Sequence, residues 1–223
     1  MNRFKFASLV DHSLLKPDAT VKDFEKLCSE AREYKFASVA VNSYPVSLCR
    51  KLLEGSNVLT DAAISFPLGQ TTIKTKTDEA RNAFDDGAEE IDYVMNIAKA
   101  KEHDWAYIEK EMTAMTETAR ERGMCIKVIL ETCLLEKEEI IEVSKIASRV
   151  KPDFIKTSTG FSKAGASVEN VLLMKKYSGD FVKVKAAGGI RHWKEAEALI
   201  KAGAERLGCS AGIQIIKELE EEE

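Results

Sequence analysis

The chain has 223 residues, 44% of them hydrophobic and 31% charged, a composition that suits one compact domain with a continuous core. Its formal net charge of −4 disfavours nucleic acid and anionic membranes as partners, because both bind to basic surfaces. The five cysteines include no CxxC pair, which argues against a disulfide framework or a zinc cluster.

The beginning of the chain, MNRFKFASLVDHSLL, lacks the long apolar segment of a signal peptide. A membrane-spanning helix would need an apolar run of about 18 residues, and the sequence contains none. We therefore expect a cytoplasmic protein. The three histidines, His12, His103 and His192, are too widely spaced for a local metal motif, so no metal site is predicted.

Strand-like and helix-like segments alternate along the whole chain with no interior linker, a pattern typical of a parallel sheet with crossover helices. Short apolar segments predict eight strands, of which the first and last have the weakest patterns. The predicted strands are residues 8–12, 37–42, 58–65, 90–96, 125–131, 154–157, 182–186 and 206–208.

Two segments carry apolar residues at the helical period and predict helices that cover the outside of the sheet. The apolar positions are Phe24, Leu27, Cys28 and Ala31 in the first segment, and Trp105, Ile108, Met112, Met115 and Ala119 in the second. Four glycines follow helical segments and precede strands, where the backbone is expected to adopt a positive φ. These glycines are Gly87, Gly123, Gly179 and Gly203.

The alternation predicts an α/β protein with one (β/α)8 TIM-barrel domain over residues 1–223 and a short, solvated acidic tail at residues 220–223. A doubly wound open sheet has the same alternation and is the alternative architecture. A dinucleotide-binding sheet would carry GxGxxG in its first βα turn, but residues 11–17 read DHSLLKP. Because GxxxxGK[ST] is missing as well, no nucleotide cofactor is predicted.

Lys156 follows two apolar residues in DFIKTSTG, at the end of a strand where barrel enzymes place their chemistry. Apolar surroundings lower the pKa of a lysine and make a neutral amine available to attack a carbonyl. Lys185 holds the equivalent position on the next strand, and its charge would further disfavour protonation of Lys156. Lys183 shares the facing of Lys185 and is expected to lie deeper. The alternatives are a lysine that reaches solvent at position 156 and a surface or ion-paired lysine at position 185.

Asp92 and Asn96 share one face of the strand in EIDYVMN, and an inward-facing Asp92 would shuttle protons to or from a lysine. Asp92 as a structural ion-pair partner is the alternative. Lys127 and Glu131 have the same facing in KVILET and are supporting candidates. Asp11 is placed either to bind a substrate hydroxyl or to cap the following turn.

Glycine-containing turns follow the last strands and predict a phosphate site. Small residues let backbone N–H groups approach an anion, and a helix N-terminus adds a favourable dipole. The residues of this predicted site are Thr159, Gly160, Gly188, Gly189, Gly208 and Ser210. Ordinary tight turns are the alternative. The segment GCSAG also has the spacing of a serine nucleophile elbow, but no histidine and acid are placed to complete a triad.

The motifs DHSLLKP, EIDYVMN, KVILET, FIKTSTGF, VKVKAAGGIR and LGCSAG together resemble the deoxyribose-phosphate aldolases, a family of class I aldolases, over nearly the whole chain. The resemblance implies reversible cleavage of 2-deoxy-D-ribose 5-phosphate into D-glyceraldehyde 3-phosphate and acetaldehyde without a metal or cofactor. It implies that Lys156 forms the Schiff base, that Lys185 tunes Lys156, and that Asp92 transfers protons with a water. Lys127 and Asp11 match positions that help to place the substrate.

Two departures from the family pattern concern the phosphate. Some members have a lysine directly after the STG glycine, whereas this chain has Phe161 there and Lys163 further on. In the last turn, Ser210 is the only hydroxyl donor between Cys209 and Ala211. The resemblance therefore leaves the strength of phosphate binding open, but it does not change the expected chemistry.

Rival functions remain at this point. The nearest is another lysine-dependent sugar-phosphate aldolase or a transaldolase-like enzyme, because Lys156 and the glycine turns alone do not define the sugar. A non-catalytic sugar-phosphate-binding barrel and an acid–base isomerase are the others. The expected partners are a small phosphorylated aldehyde or sugar and further copies of the chain, in a homodimer or a homotetramer.

Overall fold

The computed structural model describes residues 1–222, in which eight parallel strands close into a barrel in chain order, with β8 paired to β1. The strands are β1 (Val10–Leu14), β2 (Ser38–Asn42), β3 (Leu59–Ile64), β4 (Glu90–Val94), β5 (Cys125–Ile129), β6 (Phe154–Lys156), β7 (Lys183–Ala187) and β8 (Ala204–Cys209). The predicted (β/α)8 barrel is confirmed, and the open sheet was wrong.

Helices connect the strands and surround the barrel. They are α1 (Arg3–Ala7), α2 (Val21–Tyr34), α3 (Val46–Leu52), α4 (Ile73–Asp85), α5 (Ile97–Lys101), α6 (Trp105–Arg120), α7 (Lys137–Val150), α8 (Val168–Tyr177), α9 (Trp193–Lys201) and α10 (Gly212–Glu222), with a 3₁₀ turn at Thr132–Leu134. Between residues 1 and 222, no helix is both long and apolar enough to cross a membrane.

Strand boundaries differ from the predicted ones where side chains have other local roles. β1 begins two residues later than predicted, because the preceding Ser8 ends α1 as its C-cap. β4 ends at Val94, and Asn96 instead caps α5, where its side chain accepts a hydrogen bond from the Lys99 backbone N–H at 3.2 Å. The predicted pairing of Asn96 with Asp92 on one strand face was therefore wrong.

The chain end was predicted as a separate acidic tail over residues 220–223. Residues 220–222 instead belong to α10, and Glu220 accepts a hydrogen bond from Arg3 at 2.8 Å. Glu223 lies outside the described residues, and the single domain over residues 1–223 stays a prediction.

The helices and the turns after them follow the predicted pattern. In α2 the apolar stripe is buried, and in α6 Ile108, Met112, Met115 and Ala119 are fully buried while Trp105 is half-buried. The four predicted glycines all have positive φ, from +67° at Gly123 to +108° at Gly203. A φ above +100° is accessible at little cost only to glycine, which explains the residue type at Gly203.

Parallel register brings charged residues into the barrel interior. Asp92 on β4 lies opposite Lys127 on β5, and Lys156 on β6 lies opposite Lys185 on β7. Lys185 in turn pairs in register with Arg206 on β8. The inside of the barrel is therefore partly ionic, whereas the buried apolar residues of the helices pack against the outer faces of the strands.

A buried ion pair outside the barrel fixes the end of β4. Lys76 of α4 and Glu111 of α6 are fully buried, with Nζ 2.8 Å from Oε1. Lys76 also donates to the Val94 carbonyl at 2.7 Å, and Glu111 accepts from the Asn96 backbone N–H at 2.9 Å. Burial lowers the pKa of Lys76 and raises that of Glu111, so each side chain needs the other to remain charged.

The variant Lys76→Met is expected to lower the free energy of unfolding by about 3–5 kcal/mol, because it leaves Glu111 buried without its cation. Lys74→Met is the matched control in the same helix, since Lys74 pairs with Asp78 at an exposed position and should contribute little. Urea-induced unfolding of both variants measures the difference. Similar small losses in the two variants would show that the buried pair does not stabilise the fold.

Candidate active site

Three lysines from neighbouring strands converge on Asp92. The Nζ atoms of Lys156 and Lys185 lie 2.7 Å and 2.6 Å from the same oxygen, Oδ2, and Lys127 Nζ lies 2.9 Å from Oδ1. All four side chains are buried. The structure thus brings together the predicted nucleophile, its cationic neighbour and the predicted proton shuttle.

The contacts extend below this group into a larger set of charges inside the barrel. Lys127 Nζ lies 2.8 Å from Glu90 and 2.9 Å from Asp61, and Arg206 donates to Asp11 at 2.6 Å and to Glu90 at 3.1 Å. We call this set the barrel charge cluster. It consists of four carboxylates and four cations: Asp11, Asp61, Glu90, Asp92, Lys127, Lys156, Lys185 and Arg206.

Sequence reasoning missed three members of the barrel charge cluster, namely Asp61, Glu90 and Arg206. A signal was available for two of them. Glu90 shares the facing of Asp92 two residues later, and Asp61 is a charged residue within the apolar segment LTDAAI. Arg206 lies in the least regular predicted strand, where alternation gave little information.

The two lysines on Asp92 Oδ2 are tuned in opposite directions. Burial, assisted by the positive charge of Lys185, lowers the pKa of Lys156 although Asp92 opposes the change. Burial also favours a lower pKa at Lys185. The neighbouring carboxylates outweigh that effect and raise the pKa of Lys185; they are Asp11, Asp92 and Asp61. Lys185 therefore stays an ammonium while Lys156 is the amine that more readily becomes neutral.

The proton shuttle is held in its charged form. Burial alone would raise the pKa of Asp92, but the charges of Lys127, Lys156 and Lys185 hold it well below the usual range. Asp92 is therefore a carboxylate that accepts a proton only when one of its lysines gives one up, which is the behaviour expected of a shuttle.

A cleft of about 560 Å³ opens above the lysines at the carboxyl ends of the strands. Eight of the predicted site residues line it: Lys156, Lys185, Thr159, Gly160, Gly188, Gly189, Gly208 and Ser210. The other three, Asp11, Asp92 and Lys127, are buried beneath its floor in the barrel charge cluster. Direct contact of Asp11 or Lys127 with substrate stays a prediction that this placement does not support.

One lysine lies away from the site. Lys183 was expected to be deeper in the barrel than Lys185, but it is exposed at the amino end of β7, with Nζ 5.5 Å from the centre of the Phe154 ring. Its position leaves Lys185 as the lysine of β7 that belongs to the barrel charge cluster.

One side of the cleft is suited to an anion. Gly188 and Gly189, after β7, have φ values of +86° and +79°. The backbone of Gly188 lies so close to the loop between β6 and α8 that a Cβ on Gly165 would be 2.0 Å from the Gly188 carbonyl oxygen. Lys16 and Arg191, which sequence reasoning did not select, supply exposed cations to the same cleft. Glycine turns beside two cations are the features that bind a phosphate group.

Glu131 holds the loop that follows β6. It has a left-handed backbone with φ of +56°, and its buried carboxylate accepts hydrogen bonds from the Thr159 backbone N–H at 3.2 Å, from the Thr159 hydroxyl and from the Ser162 hydroxyl at 3.1 Å. The Thr159 hydroxyl is therefore engaged with protein. Its contribution to the cleft is to position the loop that carries Gly160.

The variant Thr159→Val is expected to lower stability by about 1–3 kcal/mol, because the buried Glu131 carboxylate loses a hydroxyl donor. It should also raise the KM for a phosphorylated substrate more than it lowers kcat, since the loop borders the anion side and not the lysines. Steady-state kinetics and urea unfolding measure the two effects. Ser158→Ala, at a buried neighbour whose hydroxyl is 3.1 Å from the Thr157 hydroxyl, is the control; an equal rise in KM there would contradict the assignment.

Comparison with known proteins agrees with this geometry. A sequence model of the DeoC/LacD family aldolases matches residues 5–218. The deoxyribose-phosphate aldolase of Lactobacillus acidophilus is 51% identical over 214 residues, which cover 96% of this chain and 90% of that one. The deoxyribose-phosphate aldolase of Caldicellulosiruptor saccharolyticus is 46% identical, with 98% and 100% of the two chains covered.

A solved structure gives the same result. The deoxyribose phosphate aldolase from Aeropyrum pernix, described as a tetramer, matches with a TM-score of 0.92 and 28% sequence identity over 98% of this chain and 92% of that one. The resemblance predicted from the six motifs is thereby confirmed. With a family match over nearly its full length, the chain belongs to the DeoC/LacD family of aldolases.

Proposed function

We propose that this protein is a class I aldolase that reversibly cleaves 2-deoxy-D-ribose 5-phosphate into D-glyceraldehyde 3-phosphate and acetaldehyde through a Schiff base on Lys156. The observation that carries the proposal is the pair of lysines on one oxygen of Asp92. One lysine has a lowered pKa, the other remains charged, and both reach the floor of a cleft with an anion-binding side.

The reaction begins with the neutral amine of Lys156. Its nitrogen attacks the C1 aldehyde of the sugar, and loss of water gives a protonated imine. The C2–C3 bond then breaks as the C3 hydroxyl loses its proton; the bonding electrons flow into the iminium and form an enamine, and glyceraldehyde 3-phosphate leaves. Protonation of the enamine at C2 and hydrolysis of the imine release acetaldehyde and return the lysine.

Asp92 and Lys185 supply the proton transfers of this sequence. Asp92 accepts a proton from the Lys156 ammonium at 2.7 Å, which frees the nucleophile. Lys185, 2.6 Å from the same oxygen, donates a proton toward the cleft that it also lines and takes up the proton of Asp92 in its place, so that Asp92 is a carboxylate again. A water in the cleft would connect these groups to the carbon and oxygen atoms of the substrate.

The phosphate of the substrate is assigned to the far side of the cleft. Backbone N–H groups around Gly188, Gly189 and Ser210 would hold its oxygens, with the charges of Lys16 and Arg191 nearby. This assignment is supported by the relatives, which are named as aldolases of a phosphorylated sugar, deoxyribose phosphate. Position 161, where some family members have a lysine, is a phenylalanine in this chain. Among residues 1–222, Lys16 and Arg191 are therefore the cations that line the phosphate end of the cleft.

The direct experiment combines substrate comparison with covalent trapping. Release of acetaldehyde from 2-deoxy-D-ribose 5-phosphate should be much faster than cleavage of fructose 1,6-bisphosphate or ribose 5-phosphate. Borohydride reduction in the presence of acetaldehyde should add one ethyl group, mapped by peptide mass spectrometry to Lys156. If no ethyl group is added at Lys156, the protein is not an aldolase that forms a Schiff base on this residue. If another sugar phosphate is cleaved faster, that sugar and not 2-deoxy-D-ribose 5-phosphate is the preferred substrate.

Assembly and location are part of the same proposal. We propose a homo-oligomer, either a dimer or a tetramer, supported by the tetrameric description of the Aeropyrum pernix relative. Sedimentation velocity distinguishes the two states. We propose a cytoplasmic location because all five cysteines are free thiols, which fits a reducing compartment.

A further inference from the structure

Asp61 is a fully buried carboxylate with no role in the reaction described above. It lies on β3 and points into the barrel, where Oδ2 is 2.9 Å from Lys127 Nζ and 3.2 Å from Lys185 Nζ. Its other oxygen, Oδ1, has no hydrogen-bond partner among residues 1–222. One oxygen each from Asp11, Asp61 and Glu90 also lie within 4.8 Å of one another, so three carboxylates crowd together.

Charge balance in the barrel charge cluster creates a difficulty for catalysis. When all eight groups are ionised, four negative charges balance four positive ones. The reaction requires Lys156 to be neutral, and removal of that one positive charge would leave an uncompensated anion in a buried site. Such a charge is costly, so a second group is needed to become neutral together with Lys156.

We propose that Asp61 takes up the proton that Lys156 loses, so that the neutral nucleophile and a neutral carboxyl group form together inside the barrel. The proposal rests on the proposed function, because it concerns the same lysine. In this proposal Asp61 is a positioning residue that holds the proton of Lys156. Asp61 does not contact the substrate.

A continuous set of hydrogen bonds joins the two groups. Lys156 Nζ donates to Asp92 Oδ2 at 2.7 Å, Lys185 Nζ donates to the same oxygen at 2.6 Å, and Lys185 Nζ also donates to Asp61 Oδ2 at 3.2 Å. Lys156 gives its proton to Asp92, Lys185 gives a proton to Asp61, and Asp92 passes its new proton to Lys185. The net change is one proton moved from Lys156 to Asp61, and the total charge is unchanged.

Asp61 is the carboxylate of the cluster that is least stabilised as an anion. Asp11 accepts hydrogen bonds from the Ser38 hydroxyl at 2.7 Å and from Arg206 at 2.6 Å, and Glu90 accepts two from Arg206 at 3.1 Å and 3.2 Å. Asp61 has neither a hydroxyl nor a guanidinium donor among its contacts within residues 1–222. A carboxylate with fewer donors gains less from being charged.

The electrostatics of the surrounding strands agree with this choice. Burial, followed by the negative charge of Asp92, raises the pKa of Asp61 to about 6 although Lys127 and Lys185 oppose the change. The titratable and charged groups around Asp61 come from five strands, β1 and β4 to β7. They are Asp11, Glu90, Asp92, Cys125, Lys127, Lys156 and Lys185.

The same proton is available for the next step. Formation of the protonated imine from a neutral amine and an aldehyde consumes one proton and releases one water. If Asp61 returns its proton by the reverse route, the iminium replaces the lost ammonium as the fourth cation, and Asp61 becomes the fourth anion again. The cluster then remains neutral both before and after the covalent bond forms.

The test is the pH dependence of trapping at Lys156 with acetaldehyde and cyanoborohydride. In the wild type, Lys156 and Asp61 share one proton over a range of pH, so the rate should rise in two steps. In Asp61→Asn the negative charge that raises the pKa of Lys156 is gone, so the rate should rise in one step at lower pH. Asp61→Glu should restore the second step, and the surface variant Asp78→Asn should keep the wild-type profile.

Infrared spectroscopy supplies a second measurement that needs only wild-type protein. Near neutral pH the spectrum should contain the carbonyl stretch of a protonated carboxylic acid, and acetaldehyde should remove that band as the iminium forms. An Asp61→Asn profile that keeps two steps or moves to higher pH, or a wild-type spectrum in which acetaldehyde changes no carboxylic acid band, would overturn the role of Asp61. Absence of any trapping at Lys156 would instead overturn the proposed function.

Discussion

Replacement of Lys156 by methionine is expected to lower kcat for cleavage of 2-deoxy-D-ribose 5-phosphate by a factor on the order of 10⁴ to 10⁶. Methionine keeps the length and the apolar stem of the side chain but has no amine, so the covalent route through an imine is closed. The variant should fold with some loss of stability, because the barrel charge cluster loses one cation while Asp92 retains Lys127 and Lys185 as partners.

Lys156→Arg is the second variant of this experiment. Arginine preserves the positive charge near Asp92 but cannot form the imine, because its guanidinium stays protonated. An enzyme that used position 156 only for acid–base or electrostatic chemistry would retain much of its activity in this variant. Acetaldehyde release and reductive trapping are measured for both proteins, with circular dichroism to verify folding. Turnover near the wild-type rate in either variant would rule out Lys156 as the nucleophile.

The predicted part of the site depended on charged residues at the ends of apolar strands. Lys156 and Lys185 were identifiable because each interrupts an apolar segment at the end where barrels carry chemistry, and adjacent strands in register bring them together. Alternation also placed Asp92 on one face of its strand, and the hypothesis of a proton shuttle required that face to look inward. These features involve the residues of one strand or of two strands that follow one another in the chain. They can therefore be recognised in the sequence without knowledge of contacts between distant segments.

Depth within the barrel could not be predicted in the same way. Alternation indicates which face a residue occupies, but the tilt of the strands decides whether it lines the cleft or lies beneath it. The resemblance implied that Asp11 and Lys127 help to place the substrate, but no sequence pattern indicated that both are buried below the cleft floor. Contacts across the barrel were also beyond local patterns: Arg206 on β8 reaches Glu90 on β4, which is 116 residues away in the chain.

Lys185→Met is expected to shift the acid limb of the pH profile of kcat/KM to higher pH by about 1–2 pH units and to lower kcat near neutral pH by about 10²- to 10⁴-fold. The positive charge of Lys185 helps to lower the pKa of Lys156. Without that charge the pKa of Lys156 rises, so a smaller fraction of the amine is neutral at a given pH and activity recovers only as the pH increases. Asp92 also loses one of the two ammonium groups on Oδ2, which interrupts the route for protons.

Lys183→Met is the matched control, because Lys183 has the same facing on β7 but is exposed at its amino end, away from the barrel charge cluster. The control should leave the pH profile in place. If Lys185→Met loses activity but the acid limb of its pH profile does not move, Lys185 acts in proton transfer alone. If the acid limb moves to lower pH, Lys185 does not lower the pKa of Lys156. The comparison thus separates two roles of one ammonium group, since its charge acts on the pKa of Lys156 and its hydrogen bonds carry the proton.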